Sequence, residues 1–246
     1  LHRRRHSFPT RRSSDLFELG RVFLKDESVQ DTDSSVKGFA QPMRVAGLAY
    51  GSAQSLQWGV SETAVDFYDV KGDVEALLAP YKPRFTVAEH PALHPGRCAQ
   101  VWIGEQAIGF VGELHPKWRQ SYDLPKAPVL FELDLQAVLQ RPIPSPQAVS
   151  KFPTVLRDLA LMVPNGVTHD DLVSSIQEAA KQEQWLKDIV LFDVYRSATD
   201  PTQEPSFAMR LSLNKEDATL LDTEVEALIQ TIVQHLADKL KVRLRV

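Results

Sequence analysis

The sequence predicts an α+β protein of two domains. Three prolines fall within residues 142–150, and because proline fixes φ and removes a backbone donor, they predict an extended linker there. Before the linker, short apolar strand patterns surround one helical pattern, and after it strands and helices follow in the order βαββαβ. We therefore expect separate domains at residues 16–141 and 151–246.

The first domain combines several strands with one helix. Residues 42–51 form an apolar run rich in small side chains, which predicts a buried strand. Residues 61–81 have helical spacing, with Ser61 as the expected N-cap. Gly72 lies inside that pattern, and since glycine costs helix stability, close packing or a ligand is the expected reason. Three further β patterns follow: a strand at 85–91, a hairpin over 97–116 turning at 104–106, and a strand at 128–135.

The second domain has the order of a ferredoxin-like fold. Strands are expected at 156–164, 188–196, 206–213 and 241–246, and helices at 168–183 and 221–240. Thr168 is the expected cap of the first of these helices. This arrangement places both helices on one face of a four-stranded antiparallel sheet and leaves the other face open.

Strand alternation assigns side chains to the two faces of this sheet. Val190, Phe192, Val194, Leu244 and Val246 are expected to pack against the helices. The open face is expected to carry Asp158, Ala160, Met162, Asp193, Tyr195, Ala208, Arg210, Ser212, Lys241, Arg243 and Arg245. An aromatic side chain can stack on a nucleic-acid base while cations hold phosphates. A solvated face whose charged edge discourages aggregation is the alternative, and alternation leaves both open.

The composition excludes several classes of protein. The formal charge is −4, but residues 1–15 hold five arginines and one acid, and the remainder has 23 basic against 31 acidic residues. A long-range basic field therefore cannot be the basis of nucleic-acid binding. Cys98 is the only cysteine, which excludes an internal disulfide framework and fits a reducing cytoplasm. No apolar run approaches the length of a membrane span.

The arginine-rich start is expected to be non-native. Residues 6–16 resemble the one-frame translation of a common short-read sequencing adapter, so residues 1–15 are predicted to be an adapter-derived, disordered segment. A basic nucleic-acid arm and a transit peptide are the alternatives, since the segment is rich in arginine and poor in acids.

Residue patterns predict no catalytic site and no metal site. His90, His94 and His115 each precede a proline, which favours loops over a metal-binding helix. The glycines of GFVGELHP lack the spacing of a phosphate-binding loop, so tight packing is expected there. The carboxylates of residues 66–75 are spread around a helical pattern, which is typical of a solvated, partly paired surface.

Five ordered strings carry a family resemblance: DFYDVKGDVEALL, HPGRCAQVWIGEQAIGFVGELHP, VLFELDL, SKFPTVLRDLALMV and LFDVYR. Together they resemble the C-terminal part of the bacterial phenylalanine–tRNA ligase beta subunit, and the resemblance covers residues 16–246. It implies a class II synthetase-type α+β domain without a working active site, followed by a ferredoxin-fold anticodon-binding domain. The complete enzyme would be a cytoplasmic α2β2 assembly with the alpha subunit, charging tRNA(Phe) with ATP and Mg²⁺. Neither cofactor is expected to bind this segment, which is expected to be inactive alone and to have no membrane partner.

The resemblance also bears on individual residues. Tyr195 matches the family's aromatic position, and Asp158 belongs to its Arg-Asp pair, although alternation turns Arg157 to the other face. Arg196, Arg210, Lys241, Arg243 and Arg245 are the phosphate candidates from the face assignment. Ala218 and Leu221 stand where the family has arginine and threonine, which weakens the expectation of an RNA contact in that loop. A free-standing RNA-binding protein and a phenylalanine-sensing domain are the competing hypotheses.

Overall fold

The computed structural model describes residues 13–33, 35–54, 57–143, 150–197, 200 and 203–245, with the backbone alone at 13–15. The chain divides into two compact units, residues 1–144 and 145–246. The division falls within the predicted linker, of which residues 144–149 lie outside the described ranges.

The first unit is built on a six-stranded antiparallel sheet. Its elements are β1 (Ser13–Arg21), β2 (Leu24–Lys25), β3 (Phe39–Ala40), β4 (Met43–Gly51), α1 (Phe67–Leu78), β5 (Arg84–Val87), β6 (Leu93–Ile103), β7 (Gln106–Leu114), α2 (Pro116–Ser121), β8 (Val129–Asp134) and α3 (Leu135–Leu139). The main sheet has the order β1-β4-β8-β7-β6-β5, while β2 and β3 pair separately. The strand expected at 42–51, the hairpin expected over 97–116 and the strand expected at 128–135 are confirmed as β4, β6 with β7, and β8. The strand expected at 85–91 is the shorter β5.

Helix α1 begins later than expected. The prediction of Ser61 as its N-cap is wrong, because Asp66 caps the helix. The Asp66 carboxylate accepts hydrogen bonds from the backbone N–H groups of Tyr68 and Asp69, at 2.7 and 3.1 Å. The Asp69 carboxylate in turn accepts from the Asp66 N–H at 2.8 Å. This reciprocal capping box satisfies two backbone donors of the first turn and that of Asp66, and residues 61–65 remain outside the helix.

One face of the sheet packs against α1. Val70, Val74 and Leu78 of the helix are buried in a cluster that includes Val111 and Leu133 of the sheet. The opposite face of the sheet lines a cavity.

Glycines play two different roles in this unit. A Cβ at Gly109, whose φ is +156°, would lie 1.9 Å from the carbonyl oxygen of Glu132, so the expected tight packing of GFVGELHP is confirmed there. A Cβ at Gly72 would meet no atom within 4 Å. The expectation of close packing at Gly72 is therefore wrong within the described residues.

The expectation of disorder over residues 1–15 is wrong for residues 13–15. Residues 13–15 form the start of β1, and their backbones pair with residues 49–51 of β4. The ladder of backbone hydrogen bonds supplies the partners that a disordered segment would lack. Residues 1–12 lie outside the described ranges.

The second unit has the predicted βαββαβ order. Its elements are β9 (Val155–Met162), α4 (His169–Ala179), β10 (Leu186–Tyr195), β11 (Ser206–Leu213), α5 (Asp222–Leu240) and β12 (Arg243–Leu244). The sheet has the order β10-β11-β9-β12. Leu161, Met209 and Leu211 are almost fully buried against Leu172 of α4 and Ile232 of α5. The α+β class with antiparallel sheets is confirmed.

Within the part of the chain that the structure describes, no helix is both long and apolar enough to cross a membrane.

Candidate nucleic-acid interface

The open face of the second sheet is defined by the pairing of its strands. Tyr195 of β10 lies opposite Ser206 of β11, which lies opposite Met162 of β9, and Met162 lies opposite Arg243 of β12. Because directly opposed residues of antiparallel strands project from the same face, this row crosses the whole sheet. The row holds an exposed aromatic side chain at one end and an exposed arginine at the other.

A bulge changes the expected face of the first half of β10. The register shifts between Leu191 and Asp193, so Phe192 is an extra residue in the strand. Leu191 opposite Met209 faces the helices, whereas Val190 opposite Arg210 faces outward. The inward expectation for Val190 and Phe192 is therefore wrong. Beyond the bulge the phase is restored, so Asp193 and Tyr195 lie on the open face as expected.

The bulge places a second aromatic ring on this face. Phe192 is 50% exposed and Tyr195 is 54% exposed. The guanidinium of Arg210 lies 5.1 Å from the centre of the Phe192 ring, within the range of a cation–π contact. In a regular strand, residues three positions apart project from opposite faces of the sheet. Phe192 and Tyr195 share the open face because the bulge lies at Phe192, between Leu191 and Asp193.

Arg210 and Asp158 form a two-pronged ion pair. The Arg210 Nε and Nη2 atoms donate to the two carboxylate oxygens of Asp158, each at 2.7 Å. Hydrogen bonds from Arg210 hold the pKa of Asp158 below its usual range, and Asp158 raises the pKa of Arg210. Both side chains lie on the open face as expected, but this cation already has an anionic partner.

Tyr195 also contacts a cation, the guanidinium of Arg245. The guanidinium carbon of Arg245 lies 5.1 Å from the centre of the Tyr195 ring. The backbone N–H of Arg245 donates to the carbonyl oxygen of Ala160 at 2.8 Å, which holds this residue against β9.

The two remaining arginine candidates differ in their partners. Arg243 Nη2 donates to the Glu204 carboxylate at 2.7 Å. Arg196, which directly follows β10, is exposed. Neither Arg196 nor Arg245 has a carboxylate partner among the residues that the structure describes.

The strand assignment of Lys241 is wrong. Lys241 is the C-cap of α5 in the left-handed conformation, with φ of 58° and ψ of 24°. Its Nζ donates to the carbonyl oxygen of Asp238 at 3.1 Å, so the ammonium group provides a hydrogen-bond donor to the last turn of the helix. The strand that follows contains only Arg243 and Leu244. Leu244 opposes Leu161 but is 44% exposed at the sheet edge, and Val246 lies outside the described residues.

Arg157 contacts the helix side of the sheet. Its Nη2 atom donates to the carboxylate of Asp222, at the first residue of α5, at 3.3 Å. Leu221, the N-cap of that helix, has no side-chain acceptor, and the Glu224 carboxylate accepts from its N–H instead at 3.0 Å. Both contacts stabilise the start of α5.

His90, His94 and His115 share one local geometry. The Nδ1 atom of each imidazole accepts the backbone N–H two residues ahead, from Ala92, Gly96 and Lys117 respectively. The residue directly after each histidine is a proline, which has no N–H. The first backbone donor beyond the histidine is therefore the N–H two residues ahead. Within the described residues, no three histidine, cysteine or acidic side chains are grouped to hold a metal.

Comparison with known protein families shows which family the chain belongs to. The family model described as the phenylalanyl tRNA synthetase beta chain CLM domain matches residues 9–135. The model of the ferredoxin-fold anticodon binding domain matches residues 150–245. The chain belongs to the phenylalanyl-tRNA synthetase beta chain family.

Individual relatives agree with this assignment. The phenylalanine–tRNA ligase beta subunit of Ralstonia nicotianae is 49% identical over 237 residues, which cover 94% of this chain and 29% of the relative. The subunit of Chromobacterium violaceum is 46% identical over 231 residues, which cover 94% of this chain and 28% of the relative. That of Burkholderia lata is 45% identical over 229 residues. The chain therefore spans less than a third of the length of these relatives.

In this member of the beta chain family, the open face of the anticodon-binding domain carries two exposed aromatic rings. Arg210 contacts the ring of Phe192, and Arg245 contacts the ring of Tyr195. Asp158 and Glu204 pair with Arg210 and Arg243, whereas Arg245 has no carboxylate partner among the described residues. The sequence pattern predicts Tyr195 and the arginines as candidates for this face, and it does not predict Phe192 or Glu204 there.

Proposed function

We propose that this chain supplies part of the tRNA(Phe)-binding surface of a cytoplasmic phenylalanine–tRNA ligase. The observation that carries the proposal is the match of residues 150–245 to an anticodon-binding domain whose open face holds Tyr195 beside Arg245. An exposed aromatic ring can stack on any unpaired base, and an adjacent guanidinium can hold the phosphate that follows it.

The roles of the individual side chains follow from their partners. Tyr195 stacks on a base of the anticodon loop, with Phe192 as a second surface for a neighbouring base. Arg196, Arg243 and Arg245 bind phosphates, and Arg243 first exchanges the carboxylate of Glu204 for a phosphate. Asp158 orients Arg210 rather than contacting an anionic backbone itself. Lys241 lies at the end of α5, where its Nζ atom donates to the carbonyl oxygen of Asp238, so we assign its ammonium group to the helix end rather than to a phosphate.

The chain acts within a larger assembly. We propose that it associates with the alpha subunit in an α2β2 enzyme, which carries out the ATP- and Mg²⁺-dependent charging of tRNA(Phe). We propose that ATP and Mg²⁺ bind to other parts of the whole enzyme, and that this segment binds and positions tRNA.

A binding experiment tests the tRNA assignment. The affinity of the full chain for tRNA(Phe) is measured by fluorescence anisotropy, with a tRNA(Phe) of replaced anticodon loop as the matched control. We expect tighter binding to the native anticodon loop. Equal affinity for the two RNAs would mean that the open face does not contact that loop.

A charging experiment tests the assembly. The chain alone is expected to attach no phenylalanine to tRNA(Phe), and alpha subunit supplied with a complete beta subunit is expected to charge it. Charging by the chain alone would place an active site within it. Phenylalanine binding by calorimetry, without tRNA binding, would favour the sensing alternative.

A further inference from the structure

The first unit contains a cavity of about 630 Å³ on the face of its sheet away from α1. It lies over β1, β4, β8 and β7 and is closed on one side by the segment between β5 and β6. Its volume is in the range of small-molecule sites, roughly 300 to 1,000 Å³. None of its lining residues belongs to the tRNA-binding face, so it requires a separate explanation.

One end of the cavity carries two carboxylates with a gap between them. Glu18 of β1 lies opposite Ala46 of β4, and Ala46 lies opposite Glu132 of β8. All three therefore project from the same face of the sheet. Since neighbouring strands lie about 4.8 Å apart, the backbones of the two glutamates are about 10 Å apart. The methyl group of Ala46 leaves the space between the carboxylates open.

The other end of the cavity is apolar. Leu16, Leu48 and Leu130 form the next row on this face, since Leu16 pairs with Leu48 and Leu48 with Leu130. They can contact the carbon skeleton of a ligand whose charged end lies between the glutamates.

An aromatic wall stands beside the carboxylates. Phe110 lies opposite Glu132, and its ring centre is 4.9 Å from that of His90, with the planes tilted by 43°. The His90 Nδ1 atom accepts the N–H of Ala92 at 3.3 Å, which fixes the orientation of the imidazole ring. The faces of aromatic rings attract cations as well as apolar groups.

The local charge is negative. Arg44 lies 3.9 Å from Glu132, but its Nη1 atom bonds to Asp134 at 3.2 Å. One guanidinium is thus shared between two acids, and Glu18 has no ion-pair partner among the described residues. The carboxylate end of the cavity favours a cation and disfavours an anion.

We propose that this cavity binds a small organic amine. Its ammonium group lies between Glu18 and Glu132, and its apolar or aromatic body lies over Leu48 and Leu130 beside Phe110. A free amino acid fits less well, because the one guanidinium beside the two glutamates, that of Arg44, is already shared by Glu132 and Asp134, and a further carboxylate would add negative charge to this end. This site is independent of the proposed binding of tRNA.

Three ligands of similar size and different charge test the proposal. Phenethylamine is a cation, phenylalanine a zwitterion and 3-phenylpropionate an anion, and their affinities for the full chain are measured by calorimetry. We expect phenethylamine to bind about tenfold more tightly than the other two, the scale of one charge-assisted hydrogen bond. Equal or tighter binding of 3-phenylpropionate, or no binding of phenethylamine, would overturn the proposal.

Variants locate the binding. Glu132→Gln should weaken phenethylamine binding by about tenfold, and Ala46→Leu should abolish it by filling the gap. Glu105→Gln, in the turn between β6 and β7, is the control and should leave the affinity unchanged. If Ala46→Leu fails to fold, Glu132→Gln still decides: an unchanged affinity in that variant would contradict the assigned site.

Discussion

The guanidinium of Arg245 lies 5.1 Å from the centre of the Tyr195 ring, although Tyr195 belongs to one edge strand of the sheet and Arg245 directly follows the other. Ala160 and Ala208 lie opposite each other on the two strands between them. Since alanine side chains are short, the arginine can extend over them toward the ring. The contact places a cation and a stacking surface together before any ligand binds.

Arg245→Ala is expected to weaken tRNA(Phe) binding and to reduce its salt dependence. Removing one phosphate contact lowers the slope of log affinity against log salt concentration by about one. Anisotropy titrations over a range of salt concentrations measure the slope. Arg84→Ala is the matched control, because Arg84 makes an equivalent contact with Trp102 in the first unit, also at 5.1 Å. A slope unchanged by Arg245→Ala would remove this arginine from the phosphate contacts.

Asp158→Asn is expected to tighten tRNA(Phe) binding. The substitution removes the charge that neutralises Arg210, so the guanidinium becomes available to a phosphate. The affinity should rise and the salt slope should steepen by up to about one contact. Weaker binding by a folded Asp158→Asn variant would show instead that the carboxylate itself contacts the RNA.

Gly72→Ala is expected to stabilise the first unit. Gly72 is exposed inside α1, and a Cβ there would meet no atom within 4 Å. Alanine is favoured over glycine in a helix interior by about 1 kcal/mol, and urea unfolding measures the gain. Ala76, on the same helix, provides the reverse control, since Ala76→Gly should lower stability by a similar amount. A destabilised Gly72→Ala variant would mean that the substitution introduces a clash.

Glu224 makes the stability of the second unit sensitive to acid. The hydrogen bond from the Leu221 N–H, together with Lys215, lowers the pKa of Glu224 in the folded chain. A lowered folded pKa contributes stability above the unfolded pKa of about 4.3, and this contribution is lost as the pH falls through the folded value. The difference in urea midpoint between the native chain and Glu224→Gln should therefore be largest at neutral pH and shrink below about pH 4. Glu216→Gln is the control, and the account fails if the two variants respond alike.

The sequence predicts the order of elements in the second unit well because each strand and helix has its own hydrophobic period. It does not predict the bulge at Phe192, since the shift in register depends on how β10 pairs with β11. For the same reason alternation misassigns Val190, whereas Tyr195, beyond the bulge, is assigned to the correct face.

Helix ends account for two other differences. Asp66 and Ser61 are both acceptable N-caps by residue type, and only the backbone geometry selects Asp66. Lys241 looks like the first cation of the alternating series KVRLRV, but α5 ends in the left-handed conformation at this residue. The partners of the arginines, Asp158 and Glu204, come from distant positions of the sequence, so local patterns cannot predict which cations are already neutralised.

The most direct test of the central claim is the affinity of Tyr195→Ala for tRNA(Phe), compared with that of Tyr68→Ala. Tyr68 is 74% exposed on the first unit and provides a matched loss of an exposed tyrosine. We expect Tyr195→Ala to weaken binding by about 1 to 3 kcal/mol, the scale of one stacked base, and Tyr68→Ala to leave it unchanged. Equal affinities for the native chain and a folded Tyr195→Ala variant would contradict the assignment of the open face as the anticodon-binding surface.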